Sequence, residues 1–179
     1  MTQQPLIRRR TAVATALLVG AGLATPSAVF AQAGKSALNL AMVAEPPTLD
    51  IQSTPADLVC IIMQHVYEPL FTFDANSSLV PMLAEAMPKI SDDGKLYTIA
   101  LRKGVKLHSG RELNADDVVA SLKRWMEVSP RGKSVAAQVA DLVAKGPLNV
   151  EISLKNAYAP LLSQLAMASG MAAIMAKES

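Results

Sequence analysis

The sequence predicts an α/β fold, and three observations carry the prediction. Two segments alternate apolar and polar residues as strands do: Leu96–Arg102 and "NVEISLK" from Asn149. Between them, Glu112–Glu127 repeats apolar residues at helical spacing behind a good cap, Asn114. Turn signals separate these runs, so strands and helices are mixed along the chain rather than segregated.

The elements follow in order. Residues 1–33 read as an export signal: Arg8, Arg9 and Arg10, a weakly apolar run from Thr11 to Ala24, and a small-residue cleavage site at Ala31-Gln32-Ala33. The run is too short to span a bilayer, which needs about 20 apolar residues. The consecutive arginines fit either a general or a twin-arginine export route. This segment holds three of the 17 basic residues and none of the 15 acidic ones. The remainder therefore carries 14 basic and 15 acidic groups, a net of −1 in place of the formal +2. No basic stripe remains, so nucleic acid is not an expected partner. Cleavage after Ala33 leaves 146 residues, enough for one domain with a sizeable core. Cys60 is the only cysteine, which excludes an internal disulfide. It lies far past the cleavage site, so it is not a lipid-bearing first residue, and it reads as a small buried apolar side chain.

Ser36–Val43 is a predicted first strand. "AEPPTLDIQSTP" follows, where paired prolines exclude helix and central strand. Thr54 and Pro55 then predict a helix start, with Leu58, Ile61, Ile62 and Val66 as its buried face and His65 as a hydrogen-bonded residue on or near it. Tyr67–Phe73 reads as a strand, "DANSS" as a turn, and Pro81–Ala86 as a short helix. A hairpin runs from Pro88 through the turn Asp92-Asp93-Gly94-Lys95 to Arg102, with Tyr97, Ile99 and Leu101 on one face. Val105 and Leu107 resume the alternation. The Glu112–Glu127 helix has Asp116 and Asp117 in its first turn, at the positive end of its dipole, and Val118, Val119, Leu122 and Trp125 or Met126 as its buried stripe. "SPRGKS" breaks the chain, and a helix is predicted over Val135–Val143. After Gly146-Pro147, Val150, Ile152 and Leu154 point inward. Pro160 opens a last helix carrying Leu161, Leu162 and Leu165, and "MAAIM" after Gly170 reads as a strand.

The stretch His108–Asp117 gathers groups that chemistry uses. A nucleophile and its base must converge in space, yet His108 and Ser109 are neighbours in an extended segment and point to opposite faces. Asp116 and Asp117 are explained by the helix start. Zinc needs three or four converging ligands, whereas Cys60 and His65 lie about 140° apart around a helix. Neither "GKS", at 34–36 or at 132–134, has the spaced glycine of a phosphate loop. The expectation is no catalytic residue, no metal site and no cofactor. The residues alone thus describe an exported α/β scaffold that binds rather than catalyses.

An ordered set of segments goes further: "EPPTLD" at 45–50, "VYEPLF" at 66–71, "LVPMLAEAM" at 79–87 and "SDDGKLYTIALRKGVKLHSGRELNADDVVASLKR" at 91–124. Together they resemble the extracytoplasmic solute-binding proteins of peptide-type (dipeptide and oligopeptide) ABC transporters. That family has a hairpin ending in Leu-Arg-x-Gly-Val-Lys, an aromatic or aliphatic residue, His, Asp or Ser, and Gly, before a capped helix. Arg102, Gly104, Val105, Lys106, His108, Gly110, Asn114, Ala115, Asp117 and Val118 fit the pattern, while Leu107 and Ser109 depart from the commoner Phe and Asp.

The resemblance implies a two-lobe periplasmic-binding-protein fold, a clam shell whose α/β lobes close on a ligand. It implies peptide or another small solute as ligand, permease subunits in the inner membrane as partners, a monomer, and a periplasmic location. Relatives handle peptides, glutathione, nickel complexes, haem and sugars, so the solute stays open. On this frame residues 34–50 form the first strand and cleft-side loop of the N-terminal lobe. Residues 51–179 form its peripheral α+β subdomain and the start of an incomplete return. Family members are much longer, so the second lobe is expected to be absent here and ligand binding to be weak. Ala44, Glu45 and Pro46, in the loop after the first strand, are the candidate ligand-binding residues, since ligands lie beyond the carboxyl ends of strands in such folds. Two other readings remain open: an exported enzyme with its site outside this chain, and a folded remnant with an interaction role.

Overall fold

A computed structural model describes residues 41–178. The predicted signal and most of the predicted first strand lie outside the described residues. Its last part, Ala41–Val43, is not strand.

The described elements are α1 (Asp57–Met63), β1 (Phe71–Phe73), β2 (Leu79–Pro81), β3 (Lys89–Ile90), β4 (Leu96–Ala100), α2 (Ala115–Val128), α3 (Pro130–Ala136), β5 (Val139–Ala144), β6 (Asn149–Leu154) and α4 (Leu161–Ala166). β1 and β2 form a small antiparallel ribbon. The main sheet has the order β3-β4-β6-β5, with every neighbouring pair antiparallel.

The alternation read from sequence sets the packing face. Tyr97, Ile99 and Leu101 are buried, as are Val150, Ile152 and Leu154. Tyr97 stands opposite Ile152, and Ile99 opposite Val150. Same-face pairs of this kind add about 0.2–1 kcal/mol each. α2 lays Val118, Leu122 and Trp125 into the same core. The Trp125 indole N–H donates to the Gly170 carbonyl at 2.8 Å, so the large ring is buried without an orphaned donor. Gly94 supplies the positive φ that the β3–β4 turn requires. β5 is an edge strand with a bulge between Val139 and Asp141, where the Asp141 carboxylate accepts the Leu142 amide.

Several predicted elements are corrected. The first helix begins at Asp57, because Thr54 Oγ1 accepts the Ala56 amide in a local turn and caps no helical amide. Its buried residues are Val59, Cys60 and Met63, of which Val59 and Met63 meet a small core of Ile51, Met171 and Ala173. Ile61 and Val66 face solvent, and so does His65, the latter two lying beyond the helix end. The strand at 67–73 shrinks to Phe71–Phe73. Pro81–Ala86 is no helix. The Met82 and Ala84 amides donate to the Leu70 carbonyl and the Glu85 amide to Ala100, so long-range pairing replaces a turn too short to hold itself.

"SPRGKS" ends α2 at Val128, as expected, but at once starts another helix. Pro130 occupies the first position of α3, which needs no amide there. The predicted Val135–Val143 helix is mostly strand β5, because pairing with β6 overrides local propensity. "MAAIM" is irregular, buried over Met171–Ile174, and joins no ladder. Its amides go elsewhere, Ile174 to the Glu68 carbonyl and Met175 to a side chain.

Candidate functional site

The turn holding His108 is built by short-range bonds. The Leu107 amide donates to the Arg111 carbonyl, the Gly110 amide to Leu107, and Lys106 pairs with Glu112 at 2.8 Å. Gly110 takes positive φ to close the turn. His108 is thereby presented edge-on to Tyr67, ring centroids 6.2 Å apart and planes at 89°. With Ser109, Lys106, His65, Glu68 and Glu178 it lines an open cleft of about 430 Å³. A second cleft of about 440 Å³ lies between Asp50, Arg124, Ala120 and Lys177. Tyr67, Met175 and Ala176 line both and form the wall between them.

Asp117 is not available to either cleft. Its carboxylate accepts both Arg111 guanidinium nitrogens at 2.8 Å, the Asn114 amide at 3.0 Å and the Lys177 amide at 2.9 Å. The Asn114 side chain returns a bond from the Asp117 amide, completing a capping box. Burial pushes the Asp117 carboxyl up, but Arg111 and the two amides outweigh it and hold it below the usual carboxylate range. Arg111 is raised in turn by its bonds to Asp117 and then Glu178. Asp116 is exposed in the same turn.

A second ion pair joins Arg124 to Asp50 at 2.6 Å. It lowers Asp50 through the hydrogen bond from Arg124 and raises Arg124 correspondingly. Arg124 also donates to Gln52 Oε1 at 2.7 Å. Gln52 is fully buried, and its Nε2 donates to the Ser121 and Ala173 carbonyls.

Sequence reasoning placed Asp117 correctly as a helix-start residue, but it set His108 and Ser109 in an extended segment facing opposite ways, whereas both sit in a turn and line the same cleft. It missed Arg111, Gln52 and Lys177, whose partners are distant or in the backbone. Only the Asn-x-x-Asp capping-box spacing was a usable signal. Ala44 and Glu45 are exposed and Pro46 half-buried in an irregular segment, and none of the three lines either cleft. Among the described residues, no three His, Cys, Asp or Glu side chains converge on a metal position. What the clefts offer is reversible polar contact: imidazoles, an ammonium, carboxylates and an aromatic edge.

Residues 78–179 match the family model described as bacterial extracellular solute-binding proteins, family 5 middle. The chain is 32% identical over 163 residues to a probable peptide ABC transporter periplasmic-binding protein of Sinorhizobium fredii, covering 89% of this chain and 30% of that protein. It is 34% identical over 104 residues to the nickel-binding periplasmic protein of Escherichia coli, covering 57% of this chain and 20% of that one. Among solved structures, the dipeptide binding protein from Pseudoalteromonas sp. SM9913 in complex with Met-Leu superposes with a TM-score of 0.68 at 29% identity, over 75% of this chain and 30% of that chain. The chain thus spans under a third of the length of each of these relatives.

Proposed function

Because the chain belongs to the bacterial extracellular solute-binding proteins of family 5, we propose that it contributes part of the N-terminal lobe of a periplasmic protein that captures peptides or similar small solutes. The solute is passed to the permease subunits of an ABC transporter in the inner membrane. Nothing is transformed: the protein binds, closes and releases. The observation that carries this reading is the family match over residues 78–179, which spans the hairpin, the capped helix α2 and the four-stranded sheet. The signal layout of residues 1–33 supports export, and the relatives are named as periplasmic. On this reading Ala44, Glu45 and Pro46 border the solute cleft, and the protein works as a monomer.

Affinity in a clam shell comes from two walls and from their closure. Residues 1–179, spanning 30% of the peptide-binding relative, supply one wall at most. Calorimetric titration of this chain with a di- to pentapeptide mixture is expected to show no Kd tighter than about 1 mM, near −4 kcal/mol. A micromolar Kd would refute the two-wall reading.

A further inference from the structure

α2 has two buried faces of opposite character. One is the apolar stripe Val118, Leu122 and Trp125. The other carries Asp117, Ser121 and Arg124 at positions i, i+4 and i+7, which places them in one row. Polar residues in such a row normally face water. Here Asp117 and Ser121 are buried, and the row meets two chain segments far away in sequence. Ser121 Oγ accepts the Met175 amide at 2.9 Å and donates to the Met175 carbonyl at 3.1 Å. Asp117 accepts the Lys177 amide. Arg124 holds Asp50 and Gln52, and Gln52 bonds the Ser121 and Ala173 carbonyls. The incoming segment 50–52 and the segment 173–177 are thereby fastened side by side to one helix face.

We infer that this row is a seam that locks both segments to α2, so that the rigid body runs from Asp50 to Lys177 and ends in a polar clamp instead of in free linkers. The reason is chemical. Segment 173–177 joins no β-ladder, yet its backbone groups at Ala173, Met175 and Lys177 are each satisfied by a side chain of the seam or its Gln52 extension. Removing a seam side chain leaves a half-buried backbone group without a partner. Resting on the proposed function, one consequence follows: in a protein that opens and closes, the moving joint lies outside residues 50–177. The sequence-based boundary at residue 50/51 then moves to just before Asp50.

Backbone hydrogen exchange on the full 179-residue chain tests the seam without any ligand. The amides of Ile174, Met175 and Lys177 are expected to exchange at least 100-fold more slowly than in a free peptide. Ser121→Ala should speed the Met175 amide at least 10-fold while Ile99 and Ile152 in the sheet keep their protection. Gln52→Leu, which removes the bonds to the Ser121 and Ala173 carbonyls and leaves Arg124 held by Asp50 alone, is the second variant. Free-peptide exchange at 174–177 in the unmodified chain would overturn the seam. So would unchanged protection of these amides in Ser121→Ala and Gln52→Leu. Either result leaves the peptide titration untouched, and a micromolar peptide Kd leaves the seam untouched.

Discussion

Gly132→Ala sets two effects against each other. In a helix, alanine is favoured over glycine by up to about 1 kcal/mol. Gly132, however, sits in the first turn of α3 where that helix crosses α2. A Cβ there would overlap the Trp125 carbonyl oxygen, with the carbonyl carbon at 2.6 Å and Met126 Cα at 2.9 Å. All three are backbone atoms, so no rotamer change relieves the contact. Comfortable carbon–carbon separation is about 3.5–4.0 Å, so α3 must retreat by roughly 1 Å. That movement takes Val135 out of the core, where it is 2% exposed. Overpacking costs about 1–3 kcal/mol, and backbone against backbone belongs at the upper end. The net is a loss of about 2 kcal/mol. With a urea m-value of about 2 kcal/mol/M, the midpoint falls by about 1 M. Trp125, the single tryptophan, is fully buried beside the substitution, and its fluorescence reports the transition. An unchanged or higher midpoint would refute the close α2–α3 crossing.

Two further outcomes are expected. Asp117 is held below its unfolded value of about 3.9, so the unfolded chain binds the proton more readily and the resulting stability is complete above about pH 4 and lost as pH falls through the folded value. Asp117→Asn should therefore be less stable at pH 7 and show a shallower fall in urea midpoint between about pH 4 and 2. Equal slopes for the two proteins would count against the carboxylate. Intact-mass measurement of protein recovered from the periplasmic fraction should place the mature N-terminus at Gly34. A retained Met1 in that fraction would exclude a cleaved signal.

The hairpin, α2 and β6 were legible because their causes are local. An Asp-Gly turn, an Asn cap and a period-two pattern each act within a few residues. The misread segments were those whose hydrogen bonds go far along the chain. Pro81–Ala86 pairs with Leu70 and Ala100, and Val139–Ala144 pairs with β6, so neither outcome is written in the segment itself. α1 was misjudged in a related way: its buried stripe is chosen by Met171 and Ala173, over 100 residues later. The reading of Asp117 as a structural residue came from helix-start chemistry, which sequence does carry; the opposite-face argument for His108 and Ser109 failed because residues 107–111 form a turn rather than an extended segment. Arg111 and Gln52 gave no such sign, since one arginine or glutamine in a polar segment looks like any other until its partners arrive.

Among the described residues the main sheet is open at both sides, and each side is ill suited to extension. β3 contributes only two residues, too short a rail for another strand to follow. β5 is longer, but its bulge breaks the regular spacing of donors, and the exposed Asp141 puts a carboxylate on that rim while occupying the neighbouring amide. A strand arriving from another copy would meet a kink and a charge where it needs a straight run of free amides. A chain folding at high concentration meets many identical copies of itself. Here the rims of the sheet keep that crowd from joining edge to edge.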